Sequence, residues 1–176
     1  MKKYRIIILM IAVMMVAFMN CRQQQTSETS SDPQSMKYIF NIENFKRYQF
    51  PTHINDLIID REKSQFSEVF MVVLEPEKAP PLHKHDDTEQ IFIMMEGTGT
   101  LTIGKDETKS TVKPGDIVRI PVCTWHSIRA DRGETVRYLC IDCFGERPAV
   151  EPTWDHHVRV MCKTNGWNYD EVVTEK

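Results

Sequence analysis

Two histidines one residue apart, His83 and His85, are the first candidates for chemistry in this chain of 176 residues. If the segment is extended, its side chains alternate between two faces, so both imidazoles point the same way. Both could then reach one metal ion at the usual nitrogen distance of about 2.0–2.1 Å. The pair alone does not separate a metal site from a solvated loop.

Shortly after this pair, two adjacent residues compete for a third ligand position. Glu89 and Gln90 both carry side-chain oxygens, and on a strand they face opposite ways. Only one of them can share the face that the histidines use. The local sequence leaves the choice between them open.

A second segment, from Pro114 to His126, completes a pattern that resembles the paired motifs of the cupin superfamily. The first family motif is His-x-His, three or four residues, a carboxylate or amide ligand, six residues and Gly. The second motif is Gly, five residues, Pro-x-Gly, two residues and His. The resemblance covers residues 50–146, over half of the chain.

The first motif fits through His83, His85 and Gln90, since six residues separate Gln90 from Gly97. Family members most often have Glu at this third ligand position, and Glu89 would need seven residues. The resemblance therefore implies that Gln90 is the ligand.

The second motif fits through Gly115, Pro121 and His126, with one substitution. Cys123 stands where the family has its second glycine. The turn must then accommodate a Cβ atom, and we expect a thiol near the site.

The resemblance implies an all-β fold, namely an antiparallel jelly-roll β-barrel of the cupin type with a short C-terminal helix. It also implies one divalent metal ion (Zn, Fe, Ni or Mn) bound by His83, His85, Gln90 and His126. Three neutral imidazoles and an amide leave the ion its full charge. Open positions for water or substrate then make it a Lewis acid. Imidazole binds several transition metals, so the ligand set does not select one.

The function that this resemblance implies is a metal-dependent enzyme acting on a small polar metabolite. A sugar acid is expected because the sequence Glu89–Phe92 is similar to cupins that act on unsaturated uronates from pectin. The neutral amide ligand favours isomerase or lyase chemistry over redox chemistry. The alternatives are a non-catalytic module that binds or senses a ligand at the cell envelope, and a cupin dioxygenase. The catalytic residues stay unassigned.

Several side chains are candidates for substrate binding. His53, Arg61 and Arg119 could bind an anionic substrate, and Arg119 lies on a predicted strand whose inward face the sequence leaves open. Tyr138 and Asp142 share one face of another predicted strand, which either lines the cavity or lies on the outside, and they are candidates for substrate binding in the first case.

The elements that position these residues are short β-rich segments about ten residues apart, separated by Gly, Pro and Asp. This spacing predicts an antiparallel sandwich or barrel. The predicted strands cover residues 57–59, 69–74, 91–95, 98–103, 117–120, 125–130 and 135–144. A helix is expected over Asp155–Lys163, with Gly166 as its stop and Trp154, Trp167 and Tyr169 as packing anchors. We expect the barrel to span residues 36–150 and the helical tail 151–176.

The N-terminus has the order of a bacterial lipoprotein signal. Basic residues precede an apolar run from Ile6 to Met19, then Asn20 and Cys21, and polar residues follow. We expect a signal peptide over 1–20, a lipid on Cys21 and a disordered tether over 21–35. The protein would be exported and anchored to a membrane, facing the periplasm or the cell exterior. An uncleaved anchor helix and a soluble exported protein are the alternatives.

The remaining composition restricts the partners. A net charge of -3 without a basic cluster indicates no nucleic-acid partner. Cys140 and Cys143 lie three residues apart on a predicted strand and point to opposite faces, which excludes a local disulfide. We expect buried structural thiols. The expected partner is a small-molecule ligand, and the resemblance also allows a homodimer.

Overall fold

The computed structural model describes residues 37–146 and 150–173. Of these, residues 40–146 and 150–173 belong to one compact unit. The expected signal peptide, Cys21 and the tether lie outside the described residues. Across those that are described, no helix is long and apolar enough to cross a membrane.

The described part of the chain forms nine strands in two antiparallel sheets. The six-stranded sheet has the order β1-β2-β3-β9-β4-β7, and the three-stranded sheet has the order β6-β5-β8. The strands are β1 Lys46–Gln49, β2 Ile54–Ile59, β3 Ser67–Leu74, β4 Thr88–Glu96, β5 Gly99–Ile103, β6 Thr108–Val112, β7 Ile117–Ile120, β8 His126–Ala130 and β9 Val136–Phe144. This is the antiparallel jelly roll expected from the sequence, hydrogen-bonded as two sheets and not as one closed ring.

The interior is formed by every second residue of the strands, whose side chains face inward. Every second residue of β9 is buried, from Val136 to Phe144, and β4 follows the same period from Thr88 to Met94. This is the period of a strand with one face on a core. The inward apolar side chains of both sheets form one cluster, with Val136 and Ile128 at 0% and 1% exposure.

The strand registers arrange the inward residues of the larger sheet in layers. One layer is polar, because Gln90 is paired with Asp142 and Asp142 with Glu68. The next layer is mainly apolar, and the one beyond it ends in a polar residue on β2. These two layers are Phe92, Cys140, Phe70 and Leu57, and then Met94, Tyr138, Val72 and Asn55.

The C-terminal tail forms two helices, α1 Trp154–Asn165 and α2 Tyr169–Val172. The side chain of Thr153 caps α1 by accepting from the His156 N–H, and Gly166 ends the helix with φ 70°. Left-handed φ favours glycine at this position. One stripe of α1 is buried, namely Trp154, Val158 and Cys162. The predicted helix and its stop are confirmed.

The strands predicted from apolar runs are all present, within three residues of the expected ends. Two strands, β1 and β6, were not predicted. In β6 only Val112 is buried and the other residues are exposed. Such an edge strand carries no apolar alternation, so the pattern that marks half-buried strands is missing.

Candidate metal centre

The three predicted histidines lie together. His83 and His85 lie in the loop before β4, and His126 is the first residue of β8. The His126 N–H donates to His83 O at 2.8 Å, and the His83 N–H donates to His126 O at 3.2 Å. The ring centroids are 4.4–5.7 Å apart, and the candidate ligand nitrogens lie within 4.8 Å of one another. The triad could therefore hold one metal ion.

Backbone carbonyls set the orientation of two of these rings. His83 Nδ1 is 2.7 Å from Pro81 O, and His126 Nδ1 is 2.9 Å from Thr124 O. A carbonyl oxygen only accepts, so each Nδ1 carries the hydrogen and each Nε2 presents its lone pair. Outer hydrogen bonds of this kind orient histidines that ligate metals.

The buried atoms without a partner test whether an ion fits. Among the described residues, His85 Nε2, His126 Nε2 and Gln90 Oε1 are buried and have no hydrogen-bond partner. A buried polar atom left unpaired costs stability. All three atoms are donors to a metal, and imidazole nitrogens with an amide oxygen suit a divalent transition ion. The residues present therefore fit the expected ion.

Gln90 is held so that its oxygen stays free. The side chain is buried, and its Nε2 donates to Asp142 Oδ1 at 2.8 Å. Asp142 Oδ1 also accepts from the Cys140 thiol, so it is an acceptor here, and the amide turns its nitrogen to Asp142 and its oxygen away. Gln90 lines the same cavity as the three histidines. That Gln90 ligates the ion stays a prediction.

The imidazoles are in the protonation state that coordination needs. Burial, together with the charges of His83 and His126, lowers the pKa of His85 to about 2. Burial also lowers the pKa of His126 to about 4, with the charge of His83 adding to the effect. All three rings are neutral near pH 7, since burial lowers the pKa of His83 as well. Metal binding requires neutral imidazole.

The structure places Arg119 on the outer face of β7, away from the histidines, and its substrate-binding role stays a prediction. Its side chain is 65% exposed and donates from Nη2 to Glu89 Oε2 at 2.5 Å. It does not line the cavity that contains the histidines. The four-residue strand β7 gave no pattern from which to assign its faces, because Ile117 is exposed on the same side as Arg119. Glu89 lies on this outer side as well, away from the metal donors.

A buried charged cluster lies behind Gln90. Arg61 donates to Glu68 from Nε and Nη2, both at 2.6 Å, and Glu68 hydrogen-bonds Asp142. The three residues are 5%, 0% and 4% exposed, respectively. Burial raises the pKa of both carboxyl groups. One guanidinium does not balance two buried carboxylates, so the pair retains a proton.

Sequence reasoning missed Glu68 in this cluster. It is the acidic residue of the apolar strand β3, and it shares a face with the inward Phe70. Residues i and i+2 of a strand share a face, and this spacing was the available signal.

A cavity of about 500 Å³ opens beside the metal donors. Its lining is mostly apolar and aromatic, and includes Phe70, Val72, Phe92, Trp125, Ile128 and Trp167. The volume is that of a pocket for a small molecule.

The structure places the other candidates as follows. Tyr138, Asp142 and His53 line this cavity, whereas Arg61 lines a neighbouring one of about 420 Å³ that also borders His85. Burial raises the pKa of Tyr138 well above its usual value, so its hydroxyl keeps its proton. Oδ1 of Asp142 accepts from Gln90 and, at 3.3 Å, from the Cys140 thiol.

Cys123 has a left-handed backbone conformation at the position where the second family motif has glycine. Its φ is 60°, in the left-handed region, and its N–H donates to His85 O at 2.6 Å. The turn thus tolerates the Cβ in a conformation that costs L residues about 1–2 kcal/mol. The thiol is exposed and lies 3.7 Å from Asp86 Oδ1.

The other cysteines of the described part are free thiols. Cys140 is buried, as expected, and Cys162 is buried as well. Cys143 is only half-buried, because it faces the outer side of β9.

Comparisons with known proteins agree with this architecture. Residues 70–142 match the family model Cupin_2, described as a cupin domain. An uncharacterized protein from Methanocaldococcus jannaschii is 39% identical over 59 residues, which cover 34% of this chain and 46% of that protein. The matched region thus spans about half the length of this relative.

Two solved structures show a similar fold. The polyketide cyclase RemF from Streptomyces resistomycificus aligns with a TM-score of 0.55 and 18% identity, over 79% of this chain and 99% of that one. A predicted oxalate decarboxylase from Thermotoga maritima aligns with a TM-score of 0.54 and 15% identity, over 61% and 99% of the chains. At such identities the likeness concerns the fold alone. The domain match over residues 70–142 and the shared fold together support the cupin superfamily for this barrel.

Proposed function

We propose that this protein is a metal-dependent enzyme that acts on a small organic acid. One observation carries the proposal: buried donor atoms of His85, His126 and Gln90 without partners line the same cavity of about 500 Å³. A site that only packs histidines would pair these atoms, since leaving them unpaired costs stability.

His83, His85, Gln90 and His126 would hold the ion. When bound, it supplies a Lewis acid that polarises a substrate oxygen. The ligands carry no negative charge, so an anionic substrate group is attracted to the site without opposition from a ligand carboxylate.

Other side chains of the cavity contribute binding and proton positioning. The Tyr138 hydroxyl keeps its proton because burial raises its pKa well above the usual value. It can therefore donate a hydrogen bond to a substrate oxygen. The aromatic lining excludes water around the substrate, which strengthens polar contacts inside the cavity.

Within this class we propose a sugar acid as the substrate and isomerisation or elimination as the chemistry. Support comes from the resemblance of the Glu89–Phe92 sequence and from the neutral ligand set. Export and attachment to a membrane through Cys21 form part of the same proposal, as does a metal drawn from Zn, Fe, Ni and Mn.

A non-catalytic binding module is the second candidate. It is favoured by the one carboxylate of the described cavity lining, Asp142, whose Oδ1 is already engaged by Gln90 and Cys140. A general base must reach the proton that it removes, and an engaged carboxylate is a poor one.

Metal analysis followed by a substrate screen tests the proposal. The purified protein would be assayed for bound metals and then incubated with sugar acids and small carbonyl compounds, with product formation followed by NMR. We expect turnover that requires metal and is absent from the His126→Ala variant. Binding without turnover would favour the binding module, and a protein that binds no divalent metal would contradict both.

A further inference from the structure

His157 of α1 lies beside the metal donors without being one of them. It lines the cavity of about 500 Å³ that contains His83, His85 and His126, and also the neighbouring cavity of about 420 Å³. It belongs to the first turn of α1, where its N–H donates to Thr153 O at 3.3 Å. Its side chain is 19% exposed and is therefore largely shielded from solvent.

A carboxylate holds one nitrogen of this ring. His157 Nδ1 lies 2.5 Å from Glu151 Oε2. The hydrogen bond with His157 lowers the pKa of Glu151, so this carboxyl group is ionised near pH 7. An ionised carboxylate only accepts, so in the neutral ring Nδ1 carries the hydrogen and Nε2 presents its lone pair.

Two further residues fix the position of this pair. Arg61 donates from Nη1 to Glu151 O at 3.2 Å, and the same nitrogen lies 3.7 Å from Glu151 Oε2. The His157 ring lies 5.3 Å from the ring of Trp154, which is three residues earlier on α1. A histidine whose Nδ1–H is held by a fixed carboxylate has the arrangement of a general base, because its tautomer and orientation are set in advance.

Nε2 of His157 is left for a ligand. Among the described residues, Nδ1 is the one ring nitrogen of His157 that makes a hydrogen bond. Burial chiefly lowers the pKa of His83 and His85, and the charge of His157 contributes at both. The ring of His157 therefore lies within electrostatic range of two of the proposed metal ligands, in the same cavity.

Three other acid–base groups of this cavity are less suited to take a proton. Asp142 Oδ1 already accepts two hydrogen bonds. Burial raises the pKa of Tyr138 well above its usual value, so its hydroxyl keeps its proton. Burial lowers the pKa of His53 to about 3, which makes this imidazole a weak base.

We propose that His157, held by Glu151, is the general base that removes a proton from the substrate carbon next to the acid group. This inference rests on the proposed function, in which the anionic group of the substrate binds at the metal centre. In this step the C–H bond breaks, the proton forms an Nε2–H bond, and the electron pair stays on the carbon and is delocalised into the acid group. The resulting imidazolium lies beside the Glu151 carboxylate, and its proton returns to the substrate or to the leaving group.

Hydrogen exchange at carbon tests this role. Galacturonate, glucuronate and mandelate, each with a hydrogen on the carbon next to the carboxylate, are incubated in D₂O with the protein loaded with Zn²⁺. Loss of that proton signal is followed by NMR, and the affinity of each probe is measured by calorimetry. We expect Zn²⁺-dependent exchange that falls at least about a hundredfold in His157→Gln, the usual contribution of a general base. The affinity for the probe should stay the same.

The neighbouring histidine provides a matched control. His156 is exposed and its Nδ1 lies 2.8 Å from Thr153 Oγ1, so His156→Gln should exchange the probes as fast as the wild type. A second measurement needs no reaction. Long-range ¹H–¹⁵N spectra of the metal-free protein should show His157 as the Nδ1–H tautomer, and Glu151→Ala should remove this preference and slow the exchange.

The outcomes separate this inference from the proposed function. Zn²⁺-dependent exchange that is unchanged in His157→Gln would overturn the role of His157 alone. The same conclusion would follow if this variant lost probe binding and exchange to the same extent, or if the wild-type ring were the Nε2–H tautomer. If the wild-type protein shows no Zn²⁺-dependent exchange with any probe, the proposed function fails for acids of this kind and the inference fails with it.

Discussion

Asp142 fixes the orientation of Gln90: Nε2 of the amide donates to Asp142 Oδ1 at 2.8 Å, and Oε1 is left buried without a partner. The proposed metal ligand Gln90 is therefore oriented by a carboxyl group that is itself linked to Glu68 and, through it, to Arg61. The cluster orients the oxygen without placing a negative charge directly on the ion.

The first prediction concerns this orientation. Asp142→Asn replaces an acceptor with a group that can also donate, so the Gln90 amide is no longer held one way round. We expect metal affinity to fall about tenfold, the usual effect of losing an outer partner of a ligand. Competition with a chelator measures the metal affinity of each variant. The control is Asp116→Asn, which changes a carboxylate in the β6–β7 turn that accepts from the Lys113 N–H. An equal effect in both variants would contradict the prediction.

The second prediction compares the two neighbours at the start of β4. Gln90→Ala should lower metal affinity at least about tenfold, because it removes a donor atom. Glu89→Ala should have little effect, because Glu89 pairs with Arg119 on the exposed side. The same chelator competition applies to both. The reverse ranking would mean that Glu89, and not Gln90, is the ligand.

The third prediction is one divalent ion per chain. Elemental analysis should find about one equivalent, since His83, His85 and His126 form a single cluster in the described residues. Because a ligand that binds only the folded state stabilises it, removal by a chelator should lower the melting temperature. The His83→Ala/His126→Ala variant should lose both the metal and this dependence. Stoichiometric metal in that variant would disprove the site.

The fourth prediction concerns the backbone at Cys123. With φ at 60°, Cys123→Gly should raise the free energy of unfolding by up to about 1 kcal/mol, since relief of strain exceeds the added chain entropy. Cys123→Ser retains the Cβ and should give no gain. Denaturant unfolding of the three proteins measures this, and equal gains in both variants would show that the thiol, not the backbone, is responsible.

Much of the site could be predicted from local spacing. The spacing of His83 and His85 on an extended segment predicts that both imidazoles point the same way, and the resemblance to the family motif, through its count to Gly97, selects Gln90. The strands that carry apolar runs could be predicted because each run is short, rich in β-forming residues and bounded by turn residues.

The rest depends on which strands pair and in which register. Glu68 and Asn55 face the interior at opposite ends of the larger sheet, in layers set by β2, β3 and β9. Nothing in the sequence around Asn55 indicates that it lines one cavity with Trp154, which lies about a hundred residues away in the chain. The face on which Arg119 lies could not be assigned from the sequence, because β7 is too short to show alternation.

The last prediction is that the mature protein is anchored to a membrane by lipid on Cys21 and works outside the cytoplasm. The basis is the order of a basic start, the apolar run Ile6–Met19, Cys21 and a polar stretch. Cleavage before Cys21 removes the apolar run, so acyl chains must supply the anchorage at about 0.8 kcal/mol per buried CH₂. Cys21→Ser should block acylation and processing and leave an uncleaved precursor, with Cys123→Ser as the matched control that is processed normally. Fatty-acid labelling and fractionation measure both. If wild-type protein never incorporates labelled fatty acid, or if the Cys21→Ser protein is cleaved and secreted normally, then Cys21 is an ordinary residue.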